Sequence, residues 1–139
     1  MGWEDRVRLV AMETEGANCL AAALEHGQLV TLPAITSVAK TLGSLTVAQE
    51  AFTQATESRG PEVKSLVVSD RQALDACVDF ADDHKMLVEP SCGAALAALY
   101  DSSVFQKIAS GKTDLTIVMV VCGGIGISST DIETWRLAR

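Results

Sequence analysis

The stretch TIVMVVCGGIGIS, Thr116 to Ser128, decides how the rest of the chain is read: a continuous apolar run breaks abruptly into Cys122, Gly123 and Gly124. A run of this length and β-branched content predicts a strand buried on both faces, the usual state of a central strand in a parallel sheet. Open α/β sheets bind ligands in the crevice beyond the carboxyl ends of their strands, so a ligand is expected where the run stops. Paired glycines let backbone approach such a ligand closely, and one cysteine stands at that edge.

Downstream, Thr130 with Glu133 three residues on reads as a capping box that opens a last short helix before Arg139. Upstream, Met86-Leu87-Val88 leads into Glu89-Pro90-Ser91-Cys92-Gly93 and then Ala94 to Leu99, a helix of small residues suited to close approach. Pro90 cannot sit in that helix's interior, and Ser91 is the expected N-cap. Ser69 with Gln72 marks another capping box, after which Leu74, Cys77, Val78 and Ala81 form one apolar helical face. Asp75, Asp79, Asp82 and Asp83 fall mostly on the other side and predict a solvated acidic face.

Val63 to Val68 predicts a strand, and Thr46 with Gln49 a helix that ends before Gly60-Pro61. Ile35 to Leu42 is apolar, broken by Ser37 and Lys40, and fits either a helix or an irregular ligand-lining segment. Asn18 to Glu25 predicts a short helix stopped at His26-Gly27, and Val7 to Met12 a strand that runs into Glu13, Thr14, Glu15 and Gly16. Strands alternating with helices give an α/β fold, parallel-sheet layers flanked by helices, with residues 1–139 as one domain or part of one.

Composition narrows the partners. The 139 residues are 48% hydrophobic and 21% charged, which is soluble globular composition with one core. A net charge of -7 without a Lys/Arg cluster excludes nucleic acid and anionic membrane as expected partners, and 4% aromatics leave no platform for stacking bases. The substrate is expected to be small. Cys19, Cys77, Cys92 and Cys122 are too far apart for a zinc pattern and sit among apolar neighbours, which predicts buried thiols, a reducing compartment and a cytoplasmic location. Met1-Gly2 is not a myristoylation signal, because Arg6 stands where a Ser or Thr is required. His26 and His84 are expected to serve as charges at helix ends, and Ser128 and Ser129 have no readable His/Asp partners.

Four segments carry a resemblance. AMETEGAN (Ala11 to Asn18), LPAITSVAKTLG (Leu32 to Gly43), MLVEPSCGAALAALY (Met86 to Tyr100) and VVCGG (Val120 to Gly124) closely resemble the C-terminal portion of L-serine dehydratases and serine dehydratase-like proteins. These are pyridoxal-phosphate enzymes of the tryptophan-synthase-β-like family, fold type II. The resemblance implies a lyase of amino-acid metabolism and gluconeogenesis that converts L-serine or L-threonine to a 2-oxo acid and ammonia, homodimeric at full length. In that family the Schiff-base lysine, the Asn-containing substrate loop and the glycine-rich phosphate loop lie upstream of the matched part. Lys40, Lys64, Lys85, Lys107 and Lys112 do not match the lysine motif, so the chain is expected to be a C-terminal part, inactive alone, with an exposed sheet surface that promotes association.

For single residues, the resemblance implies that Cys122 faces the pyridine nitrogen of pyridoxal phosphate and that Gly123 and Gly124 lie against its ring. It implies that Glu13, Ala17, Leu42 and Ser44 hold a potassium-like monovalent cation, one carboxylate plus backbone oxygens. Read without it, Cys122 is a buried structural thiol, Glu13 an exposed strand-end acid and the glycine pair a turn. Glu89 to Gly93 reads first as a strand-to-helix corner and second as a wall of the cofactor site. Ile125-Gly126 departs from the family, which places polar residues there. Two other outcomes stay open: a non-catalytic remnant that binds full-length subunits, and part of another fold type II enzyme such as a serine racemase.

Overall fold

The computed structural model describes residues 7–57 and 60–139; the myristoylation reading at Met1, Gly2 and Arg6 lies outside them. Two strands, β1 (Arg8–Thr14) and β2 (Glu62–Val68), pair in parallel and in step from Arg8↔Glu62 to Thr14↔Val68. Parallel pairing requires a crossover. Here it carries α1 (Cys19–His26), a 3-10 turn (Lys40–Leu42) and α2 (Gln49–Thr56). After β2 come α3 (Asp70–His84), α4 (Pro90–Tyr100), α5 (Ser102–Ala109) and α6 (Ser129–Leu137). The α/β class with a parallel sheet is therefore present, and Ile35 to Leu42 resolves as irregular chain ending in the 3-10 turn.

Helix starts show which local signals acted. Ser69 and Gln72 form the expected capping box, with Gln72 N–H donating to Ser69 Oγ at 3.2 Å and Ser69 N–H to Gln72 Oε1 at 2.9 Å. The other two boxes fail. α2 begins after Ala48 without a side-chain cap, because Thr46 is instead bridged to Thr31, hydroxyl to hydroxyl at 2.8 Å. α6 is capped two residues earlier than expected, by Ser128 with Asp131. In α4 the cap position is Glu89 and Pro90 is the first helical residue, where its missing N–H costs nothing. That moves Ser91 inside the first turn and frees its hydroxyl. α5 was not expected at all; Asp101 caps it, its Oδ1 accepting from Ser103 N–H at 2.8 Å and Val104 N–H at 3.1 Å.

The core lies between α3 and α4, where Ala73, Ala76, Cys77, Cys92, Ala94 and Ala97 are buried together, with Val68 and Val88 closing it. α6 lies on the outer side of α3, whose acidic face stays solvent-exposed as expected but also carries ion pairs from the C-terminal segment. Arg136 forks onto Asp82 at 2.6 and 2.7 Å, and Arg139 binds Asp75 and Asp79 at 3.0 and 2.7 Å. Asp83 accepts from the Tyr100 hydroxyl at 3.0 Å. Asp75, Asp79 and Asp82 are the landing surface of the C-terminal segment, information that lies 54 or more residues downstream of them.

Burial pushes the Cys77 thiol up to about 12, with Cys92 beside it adding to the effect. A raised folded pKa means that the native state keeps a proton the unfolded chain loses. Its contribution is therefore intact below the ordinary thiol range, near 8.5, and is lost as pH rises towards 12. On the order of 4 kcal/mol is expected to disappear across that window. Urea midpoints measured from pH 8 to 11 should fall steeply, and less steeply in Cys77→Ala; equal slopes would refute this. Tyr100, also raised to about 12 by burial and by Asp83, titrates in both proteins and sets the residual slope.

The stretch from Thr116 to Ser128 is the largest correction. Residues 116–121 form no regular element and join no ladder among the described residues, and they are not buried on two faces. Val118 is 87% exposed and Val120 73%. An apolar run specifies that a segment needs burial; the burial itself must come from neighbouring strands, and β1 and β2 pair with each other instead.

Candidate functional site

The end of the 116–121 run folds against the first turn of α4. Glu89 N–H donates to Gly123 O at 3.1 Å, and Cys122 N–H donates to Cys92 Sγ at 3.4 Å. A Cβ on Gly124 would stand 2.5 Å from Leu87 O and 2.7 Å from Val88 Cα, so this glycine is required by contact with the 87–88 backbone. Gly123 differs. Its φ of +125° suits only glycine, and a Cβ there would meet no atom within 4 Å. Its open side is free for a ring.

Cys122 departs from the expectation of buried thiols: it is exposed, whereas Cys19, Cys77 and Cys92 are buried, and all four are free. Partial burial and a hydrogen bond with Cys92 raise its pKa, so the thiol keeps its proton at neutral pH. A neutral thiol can face an aromatic nitrogen but cannot hold it protonated as a carboxylate would.

Thr41, at the 3-10 turn, joins this corner. Its hydroxyl donates to Glu89 Oε2 at 3.0 Å and lies 2.6 Å from Ser91 Oγ. The three polar side chains border a cavity of about 230 Å3 walled by Val38, Leu74, Ile127 and Trp135, with Lys40 and Gly126 at its rim. Mixed lining of this kind suits a small ligand with an aromatic or apolar body. A larger cavity, about 350 Å3, lies between α3 and Arg139, away from Cys122. Thr41 was not singled out in the sequence, and Ser91 was expected as a helix cap and within the Glu89 to Gly93 wall, not as a partner of Thr41. Pro90 at the first helical position was the available sign that the Ser91 side chain is not consumed as a cap.

Glu13 is buried, not an exposed strand-end acid. Its Oε1 accepts from Leu20 N–H at 2.9 Å, and its Oε2 from Ala21 N–H and Ser65 Oγ, both at 2.8 Å. The carboxylate thus terminates α1 from the adjacent strand, where negative charge is favoured. Next to it, Ser37 donates its one hydroxyl proton to Asp70 Oδ1 at 2.5 Å, so Thr14 must be the donor in the 2.8 Å Thr14–Ser37 contact. Thr36 N–H reaches Gly16 O at 3.1 Å. These bonds hold the 13–17 and 36–39 segments together. Ser44 instead donates to Thr46 O, and no hydrogen bond among the described residues joins Glu13, Ala17, Leu42 and Ser44 to one another. No three His, Cys, Asp or Glu side chains among the described residues converge as metal ligands.

A helix-start corner, a thiol that keeps its proton and an open glycine meet where the 116–121 run ends. Comparison with known proteins fixes the class: the model of the pyridoxal-phosphate dependent enzymes matches residues 1–123, and the chain belongs to that family, within fold type II. It is 46% identical to mouse "Serine dehydratase-like" over 140 residues, and 46% identical to rat "L-serine dehydratase/L-threonine deaminase" over 139. These alignments cover 99% and 98% of the chain but 41% and 37% of the relatives. Among solved structures, a fungal L-serine ammonia-lyase from Rhizomucor miehei superposes with a TM-score of 0.86 at 34% identity, covering 97% of this chain and 42% of that one. Maize serine racemase gives 0.75 at 25% identity, covering 96% and 40%. The chain spans about two-fifths of the length of the proteins it matches. Among the described residues no helix is long and apolar enough to cross a membrane.

For pyridoxal phosphate, the open glycine and the protonated thiol suit the pyridine end; Cys122 and Gly123 do not themselves line the polar-rimmed cavity, which Glu89 joins to them through its N–H on Gly123 O.

Proposed function

We propose that this chain is the carboxyl-terminal portion of a pyridoxal-phosphate dependent L-serine or L-threonine ammonia-lyase that yields a 2-oxo acid and ammonia. The observation that carries the reading is the meeting of Cys122 and Gly123 with Glu89 and Cys92 in a chain 46% identical to serine dehydratases. Bound pyridoxal phosphate would supply an electron sink for the carbanion formed next to the carboxylate. Cys122 would place a neutral Sγ–H at the ring nitrogen, and Gly123 would leave room for the ring. Glu89, oriented by Thr41, would border the same space.

A monovalent cation at Glu13, Ala17, Leu42 and Ser44 belongs to the same proposal. It rests on the family resemblance alone; in the structure the Glu13 carboxylate is met by two N–H groups of α1 and the Ser65 hydroxyl. A reducing, cytoplasmic setting is supported by four free thiols. Homodimerisation of the full-length enzyme is proposed from the family resemblance alone.

The chain with added pyridoxal phosphate is expected to form no pyruvate from L-serine; any measurable pyruvate overturns the claim that it is inactive alone. Joining it to the upstream remainder of the Rhizomucor enzyme is expected to restore pyruvate formation. A folded chimera with cofactor absorbance but no turnover would defeat the lyase reading, and conversion to D-serine would favour the racemase reading that the maize structure supports. The remnant reading is favoured by exposed Val118, Val120 and Ile125, which a larger subunit could cover.

A further inference from the structure

We infer that Cys92 and Cys122 form a dithiol that a hydroperoxide converts into an intrachain disulfide, a modification site at the edge of the cofactor corner. One contact brings the residues together: the Cys122 backbone N–H points at Cys92 Sγ from 3.4 Å. With the Cys92 sulfur against the backbone of Cys122, side-chain rotation and a small shift are what remain to meet the geometry of a cystine.

The two differ in access. Cys122 is exposed on chain without ladder bonds, and Cys92 is fully buried in the first turn of α4. Backbone free of a ladder can move towards a fixed helix. The remaining two thiols are buried, Cys77 beneath α4 with its thiol on Glu89 O at 3.5 Å, and Cys19 in the first turn of α1. Exposure thus separates an attacked thiol from a resolving one.

Cys122 sulfur attacks the peroxide, breaking the O–O bond to leave Cys122 sulfenic acid and one water. Cys92 sulfur then attacks the sulfenic sulfur, and the departing hydroxide takes the Cys92 thiol proton as a second water. Two thiols and one hydrogen peroxide give one disulfide and two waters. Because the Cys122 thiol keeps its proton, hydrogen peroxide is used in excess.

The 139-residue chain, oxidised, alkylated and digested, is expected to show free thiols falling from four to two, with one peptide pair joined through Cys92 and Cys122. Cys122 driven to sulfinic acid beside reduced Cys92 would overturn the inference, as would joined peptides containing Cys19 or Cys77 or arising between two chains. In Cys92→Ser, checked for folding by circular dichroism, Cys122 sulfenic acid should accumulate and take up dimedone; labelling no greater than in the parent would also overturn it. The disulfide would withdraw the thiol from the ring nitrogen, a consequence that rests on the function proposed above. Joined peptides with undiminished cofactor binding in the oxidised chimera would refute that role of Cys122 and leave the disulfide standing.

Discussion

Replacing Glu13 with alanine is expected to lower stability by about 3 kcal/mol, because it removes the acceptor of three donors at a buried position. The N–H groups of Leu20 and Ala21 are early in α1 and have no intrahelical partner, so they would be left unsatisfied. α1 is only eight residues long, too short to hold together by propensity alone, and Asn18 gives it no side-chain cap. Glu13→Gln keeps one acceptor oxygen and should cost roughly half as much. Urea unfolding with an unchanged slope measures both, and a loss below about 1 kcal/mol for the alanine variant would show that water replaces the carboxylate. Potassium offers a separate reading: a cation bound at Glu13 should raise the midpoint of the parent but not of Glu13→Ala.

Glu13 also shows what could be read from residues alone. A carboxylate after a β-rich segment has no visible partner in sequence, because its acceptance by Leu20, Ala21 and Ser65 depends on how β1, α1 and β2 come together. The strands themselves were legible, since β-branched runs at Val7 to Met12 and Val63 to Val68 need only local chemistry, and they appear as β1 and β2. Of the three expected capping boxes, one formed as read. Ser69 found Gln72, whereas Thr46 was drawn away by Thr31, a competitor fifteen residues distant. Thr116 to Ser128 was misread in state: Met119 and Ile127 pack against the core, but Val118, Val120 and Ile125 remain exposed and the run joins no ladder among the described residues. The Cys122–Gly124 corner was marked by the break in the apolar run, the family segments suggested roles for its residues, and the Thr41–Glu89–Ser91 contacts emerged only from the structure.

The second large effect is expected at Gly93. A Cβ there would stand 2.2 Å from Ala73 O and 2.5 Å from Cys77 Sγ, in the middle of the α3–α4 contact. The sulfur could rotate aside, but the carbonyl belongs to the backbone of α3, so the helices would have to separate by about 1 Å where both are buried. Alanine in a helix gains about 1 kcal/mol over glycine, while overpacking a tight core costs about 1–3 kcal/mol and more when backbone must move. The clash should win, leaving Gly93→Ala destabilised by about 3 kcal/mol by urea midpoint. Adding Cys77→Ala removes the sulfur contact alone and should recover only part of the loss. Adding Ala73→Gly should recover none, because the obstructing oxygen stays. Full recovery in the Cys77 double variant would mean that the side chain, not the backbone of α3, sets the spacing of the two helices that carry Cys92 to the cofactor corner.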